Sequence, residues 1–199
     1  MSTQKRRYQK RRRAELEEMT RRRITESAVA LHGTLGPSRT SMSAVAEHAG
    51  VRRSTLYRHF PDELSLFAAC TTHWMADNPA PELEHWTAID DPAERLRAAL
   101  GELYAYYERT HGMLENIMRD EATMPNVRLT FRGFRDYVDA AVDTLLAGWP
   151  GRGRAGARVR AAVGHTVALP TWRSLVLEQG LDEEQAVELM CRFVAAASV

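Results

Sequence analysis

Apolar residues recur along most of the chain at spacings of three and four, and no stretch alternates in the manner of a half-buried strand. The pattern predicts an all-α protein of about nine helices. The first covers about 14–31, with Leu16, Met19, Ile24, Ala28 and Leu31 on one side and Glu17/Arg21 and Glu18/Arg22 as i,i+4 pairs. GTLGPSRT ends it. Two short helices follow, 41–48 closed by Gly50 and 52–59 closed before Pro61, then a fourth over 62–76 carrying Leu64, Phe67, Ala68 and Trp74. DNPAPELEHWTAIDDP reads as a loop and as the boundary between two regions. Beyond it the spacing predicts helices over 92–109, 112–122, 125–147, 156–178 and 182–197. Pro170 should kink the fourth of these, and Asp182 should cap the fifth.

A helix, a glycine turn of about three residues and a second helix form a helix-turn-helix, in which the second helix enters the DNA major groove. In AEHAGVRRSTLYRHF, Val45, Ala49, Val51 and Leu56 fall on the inward side, Ala46 is small enough for close helix crossing, and Gly50 supplies the turn. Arg52, Arg53, Thr55, Tyr57, Arg58 and His59 remain outward. Arg52 stands where a helix start favours Ser, Thr or Asp, a local rule broken in a way that points to function. Arginine suits guanine O6 and N7, so Arg52 and Arg53 are expected at or near base edges. Tyr57, Arg58 and His59 are expected on phosphates, setting register.

Charge sharpens this picture. Residues 1–60 hold 14 Lys and Arg against 5 Asp and Glu, net +9, whereas residues 61–199 hold 13 against 21, net −8. The split suggests a polyanion-binding head on an acidic body. Residues 1–13 read as a disordered basic arm, either a solubility tail or a DNA-contacting segment through Lys5, Arg6, Arg7, Lys10, Arg11, Arg12 and Arg13. The domains expected are therefore the arm 1–13, a DNA-binding domain 14–76 and a helical regulatory and dimerisation domain 77–199. No apolar run approaches the ~20 residues of a membrane span, and the basic N-terminus lacks the apolar core of a secretory signal, which points to the cytoplasm. Cys70 and Cys191 lie far apart without metal-type spacing and read as free thiols.

TSMSAVAEHAGVRRSTLYRHFPDELSLF resembles the DNA-binding domain of the TetR family of bacterial transcriptional regulators, and RITESAVALHGTLG fits that family's first helix, so the resemblance covers about residues 20–70. It implies phosphate contacts by Tyr57 and His59, with Thr40, Arg52, Arg53 and Thr55 at or near the groove; Ser41 and Ser54 lie between these and are counted with them. It also implies a homodimer binding a palindromic operator, and a variable helical C-terminal domain whose small ligand weakens DNA binding. The chain departs from the family at Glu63, preceded by Asp62, where a phosphate-binding Lys is common.

The C-terminal half allows several readings. Val163, Val167, Leu175 and Val176, with Val187, Met190 and Val194, form two apolar stripes that suit either a four-helix contact with a second copy or packing within one subunit. Trp74, Tyr104, Tyr107, His111, Met113, Met118, Phe131, Phe134, His165 and Trp172 are core residues or the wall of a pocket for a hydrophobic or aromatic effector. No cofactor is implied. H-E-x-x-H, G-x-S-x-G and phosphate-loop patterns are absent, so an enzyme, such as a helical-bundle metal protein, is disfavoured. A ligand-independent or architectural DNA-binding protein is the other alternative to a repressor.

Overall fold

The computed structural model describes residues 3–199, with side chains from Arg6 onward. Among them the regular structure is helical: α1 (Thr3–Thr34), a 3₁₀ turn (Pro37–Arg39), α2 (Met42–His48), α3 (Arg53–His59), α4 (Glu63–Asp77), α5 (Leu83–Thr87), α6 (Pro92–Glu121), α7 (Pro125–Thr130), α8 (Arg132–Leu146), α9 (Gly153–Thr166), α10 (Leu169–Trp172), which runs on as a π-helical stretch Arg173–Glu178, and α11 (Glu183–Ala197). No described helix is long and apolar enough to cross a membrane.

The chain forms two compact units. One runs up to Asn78 and includes Gly112–Phe131; the other comprises Pro79–His111 and Arg132–Val199. The sequence placed a single boundary near residue 77 and did not anticipate that the end of α6, with α7, groups with the N-terminal helices. Breaks expected from glycine or proline also shift. Gly112 does not divide α6, because a mid-helix glycine costs only ~1 kcal/mol against a helix of 30 residues. The expected helix 125–147 is instead two, and at the break the Thr130 hydroxyl donates to the Asn126 and Val127 carbonyls, 3.1 and 3.2 Å away. The expected loop 77–92 contains α5, held by a fully buried Trp86 whose indole N–H donates to Glu102 at 3.1 Å. Asp182 caps α11 as expected, in a reciprocal box with Gln185.

Residues 6–13 are helical, which corrects the expectation of a disordered arm; Met1 and Ser2 lie outside the described residues, as does the side chain of Lys5. Arg, Lys, Gln and Glu are good helix formers, and extending an existing helix carries no nucleation cost. Arg11 pairs with Glu15 and Arg13 with Glu17 across this extension. Leu16 and Met19, expected in the core, are 55% and 68% exposed, because the core of this unit begins at Ile24.

That core consists of Ile24 and Ala28 from α1, Met42, Val45, Ala46 and Ala49 around α2, Leu56 and Phe60 around α3, and Leu66 and Cys70 from α4. On α4 the inward residues are Leu66, Phe67 and Cys70; Leu64 and Ala68 face outward and Trp74 is half-buried. Burial raises the Cys70 thiol to about 12, so it is inert.

In the second unit α9 packs on α11, and Val163, Val167, Val187, Met190 and Val194 are buried within the one chain, while Leu175 and Val176 are half-buried. Five of the seven stripe residues therefore serve the chain's own core. Pro170 lacks the N–H that would bond Thr166, and the helix breaks ahead of it instead of kinking through it. Two tyrosine hydroxyls fill the gap: Tyr104 donates to the Thr166 carbonyl at 3.0 Å and Tyr107 to the Val167 carbonyl at 2.7 Å.

Candidate nucleic-acid interface

The turn between α2 and α3 is fixed by backbone chemistry. Ser41 caps α2, its hydroxyl accepting from the Ala44 amide. At the other end Gly50 takes φ +62°, its amide donating to Glu47 and that of Val51 to Ala46, a Schellman closure with Val51 folded against the core. A Cβ on Gly50 would meet nothing within 4 Å, so the glycine is required by its dihedral and not by space. Val45, Ala46, Ala49 and Leu56 are buried as the spacing predicted.

This anchoring turns one side of α3 outward. Arg52, Arg53, Ser54 and Arg58 are exposed, Tyr57 is 41% exposed, and Thr55 is half-buried. Arg52 occupies the N-cap position with extended backbone and no side-chain cap, leaving its guanidinium uncommitted to the helix. Thr40 and Ser41 both have local duties: the Thr40 hydroxyl donates to the Gly36 carbonyl at 2.8 Å. His59 differs from its neighbours. Its ring is half-buried, and its Nε2 is shielded without a hydrogen-bond partner. Desolvation, helped by the charges of Arg58 and Arg21, lowers its pKa and favours the neutral ring.

Sequence reasoning missed the residue that holds the far end of α3. Arg21 donates to the His59 carbonyl at 2.7 Å and lies over the Phe60 ring, 4.2 Å from its centroid. A cation on a terminal helix carbonyl satisfies an orphan acceptor and complements the helix dipole. The expected Glu17/Arg21 pairing gave no hint of this, because the contact spans 38 residues. At the departure from the family pattern, Asp62 caps α4 by accepting from the Ser65 amide at 2.7 Å, and Glu63 sits exposed in the favoured first turn. Arg6, Arg7, Lys10, Arg11, Arg12 and Arg13 are all exposed along the front of α1.

The ten candidate pocket residues fall in both units. Trp74, Met113, Met118 and Phe131 belong to the first, where Met118 is 40% exposed. In the second, Tyr107 and His111 lie against Trp172, with ring centroids 6.2 and 5.3 Å away, and Phe134 stacks on Tyr106 at 6.3 Å. Tyr104 and Tyr107 are fully buried with hydroxyls bound to backbone, which makes them braces of the core rather than a free polar wall. His165 is exposed, and its ring meets Phe193 edge-on and lies 3.4 Å from the Thr171 hydroxyl, outside the candidate set. None of the ten lines the open groove of about 700 Å³ between α1 and α4, whose walls include Glu18, Arg21, Arg22, His73 and Asp77 as well as Ala68, Ala69 and Ala76.

Comparison with known proteins agrees with this geometry. Residues 24–70 match the model of bacterial regulatory proteins, tetR family. Over 85 residues the chain is 35% identical to the "Probable acrEF/envCD operon repressor" of Escherichia coli (strain K12), covering 41% of this chain and 37% of the relative's length. Among solved structures, a transcriptional regulator from Rhodococcus sp. Rha1 superposes with TM-score 0.62 at 21% identity, over 89% of this chain and 97% of that one. NalD, the secondary repressor of the MexAB-OprM multidrug efflux pump in Pseudomonas aeruginosa, gives 0.59 at 20%, over 93% and 98%. A SmeT–triclosan complex gives 0.59 at 22%, over 90% and 91%. At such identities the superpositions establish a shared fold. The helix-turn-helix segment is thus similar to the tetR family of bacterial regulatory proteins, and the chain spans little more than a third of the length of the curated relative it matches.

Proposed function

We propose that the chain is a cytoplasmic DNA-binding transcriptional regulator, a ligand-responsive repressor that binds a near-palindromic operator as a homodimer. The observation that carries this reading is α3: a short helix fixed by Leu56, Phe60 and Arg21, with Arg52 and Arg53 projecting uncommitted at its start. Those two guanidiniums read base edges, while Tyr57, Arg58 and the basic front of α1 hold phosphates. Because residues 6–13 are helical, the contact along α1 is a rigid cationic rod rather than a flexible arm. His59 contributes through its neutral ring.

The second copy is expected on the outward faces of α9 and α11. There Ala157, Ala161, His165, Gln185, Leu189 and Phe193 are exposed, and the last two are 45% exposed each. An effector is expected among the second unit's aromatic residues. The relatives named an operon repressor, an efflux-pump repressor and a triclosan complex support a regulator of this kind. Selection of bound duplexes from a random pool tests the reading. Enrichment of a two-fold symmetric site, with half-sites about one helical turn or somewhat more apart, is the expected result. Recovery of unenriched sequence would overturn it.

A further inference from the structure

Where α1 ends, the carbonyls of its last turn are not left to water. Asn116 Nδ2 donates to the carbonyls of His32 and Gly33 at 3.1 and 2.8 Å, and Arg119 Nη2 donates to that of Leu35 at 3.2 Å. Arg119 also reaches Asn116 Oδ1 at 2.8 Å and grips Asp120 through two nitrogens at 2.8 and 3.1 Å. The Asp120 carboxylate is only 3% exposed, and its Oδ2 accepts the Ser38 amide at 2.8 Å. Three side chains from one turn of α6 thus fasten four backbone sites between residues 32 and 38, all within the first unit.

The fit is tight at Gly36. Its φ of +92° is open to glycine, and a Cβ there would lie 2.0 Å from Arg119 Nη2 and 2.8 Å from Asp120 Oδ2. From Ser38 the chain has two residues before Ser41 caps α2, and Thr40 ties back to Gly36. Where the helix-turn-helix begins is therefore set by this network at one end, as Arg21 on the His59 carbonyl sets where α3 finishes.

We propose that Asn116, Arg119 and Asp120 are positioning residues for operator recognition: by fixing the 36–41 turn they hold α2 and α3 in the attitude that brings Arg52 and Arg53 to base edges. The proposal rests on the DNA-binding reading above. Groove readout demands orientation, whereas non-specific binding demands only cations near phosphates. Loosening the network must then erode the ratio of specific to non-specific affinity.

The full chain, Asp120→Asn and Asn116→Ala are titrated against the selected operator and a scrambled duplex at about 150 mM salt. Asp120→Asn removes a negative charge, so simple electrostatics would tighten binding to both duplexes. Positioning predicts the reverse on the operator: a loss of about tenfold or more in the specificity ratio, the size expected when a charge-assisted hydrogen bond is lost. Affinity for the scrambled duplex stays level or rises. Asn116→Ala, which changes no charge and leaves the Arg119–Asp120 pair in place, gives a smaller loss in the same direction and carries the test if Asp120→Asn fails to fold. Hydrogen exchange at the Ser38 amide should quicken in both. Specificity ratios equal to the parent's would overturn the inference while leaving the DNA-binding reading intact. A parent without sequence preference would overturn both.

Discussion

His32 gives the first unit an acid-sensitive stability of predictable size. The ring is 4% exposed, packed against Phe67 at 5.1 Å, and burial lowers its pKa from 6.5 to about 4, with nearby Asp120 partly opposing. The folded chain thus holds His32 neutral while the unfolded chain protonates it below pH 6.5. Stability is complete above that pH, falls as pH drops, and levels off below about 4. At 1.36 kcal/mol per pH decade the full loss is about 3 kcal/mol, of which about 2 is gone by pH 5. That is a large share of the ~5–15 kcal/mol by which domains are stable. Asp120 acts in a different window. Its burial alone would raise the carboxyl, but hydrogen bonds from Arg119 and Ser38 hold it below 3.8, so its contribution is lost only at lower pH. With two units present a single global transition is a poor monitor. Hydrogen exchange at the amides of 45–49 and 66–70 reports the unit that contains His32. Comparing the parent with His32→Leu between pH 7 and 4 isolates the histidine, and the leucine variant should lose about 3 kcal/mol less over that range. Identical pH profiles for the two would refute the reasoning.

Other expectations follow from single contacts. Gly50→Ala meets no steric obstacle, so its cost is that of the left-handed backbone alone, ~1–2 kcal/mol by hydrogen exchange at core amides of the unit that carries the substitution. Tyr107→Phe strands the buried Val167 carbonyl at the α9 break and should cost ~1–3 kcal/mol in the same assay. Deleting residues 2–13 should weaken operator binding and flatten its dependence on salt, since it removes seven cations; an unchanged salt slope would exclude α1's front from the interface.

The helix-turn-helix was the most legible part of the chain because its determinants are local. Val45, Ala49, Gly50, Val51 and Leu56 lie within twelve residues, and their spacing alone sorts inward from outward. Arg21 on the His59 carbonyl and Asp120 on the Ser38 amide span 38 and 82 residues, and no period or propensity reports such contacts. The front of α1 misled in the opposite sense. Its charge suggested a disordered arm, but helix-forming residues attached to a packed helix continue it. In the C-terminal half, tyrosine and tryptophan look alike whether they brace a broken helix or face a ligand. Only the hydroxyl bonds of Tyr104 and Tyr107 to the Thr166 and Val167 carbonyls separate the two roles. The apolar stripes of α9 and α11 were ambiguous for a similar reason, since apolar periodicity specifies burial without naming what covers it.

The most direct test crosses base substitutions in the selected operator with Arg53→Ala and Arg58→Ala. Arg53→Ala should erase the preference at one guanine-containing position, worth ~1–3 kcal/mol, and leave the other positions discriminated as before. Arg58→Ala should weaken every duplex alike. If Arg53→Ala instead lowered affinity evenly across all sequences, or left each preference intact, α3 would not be reading the groove.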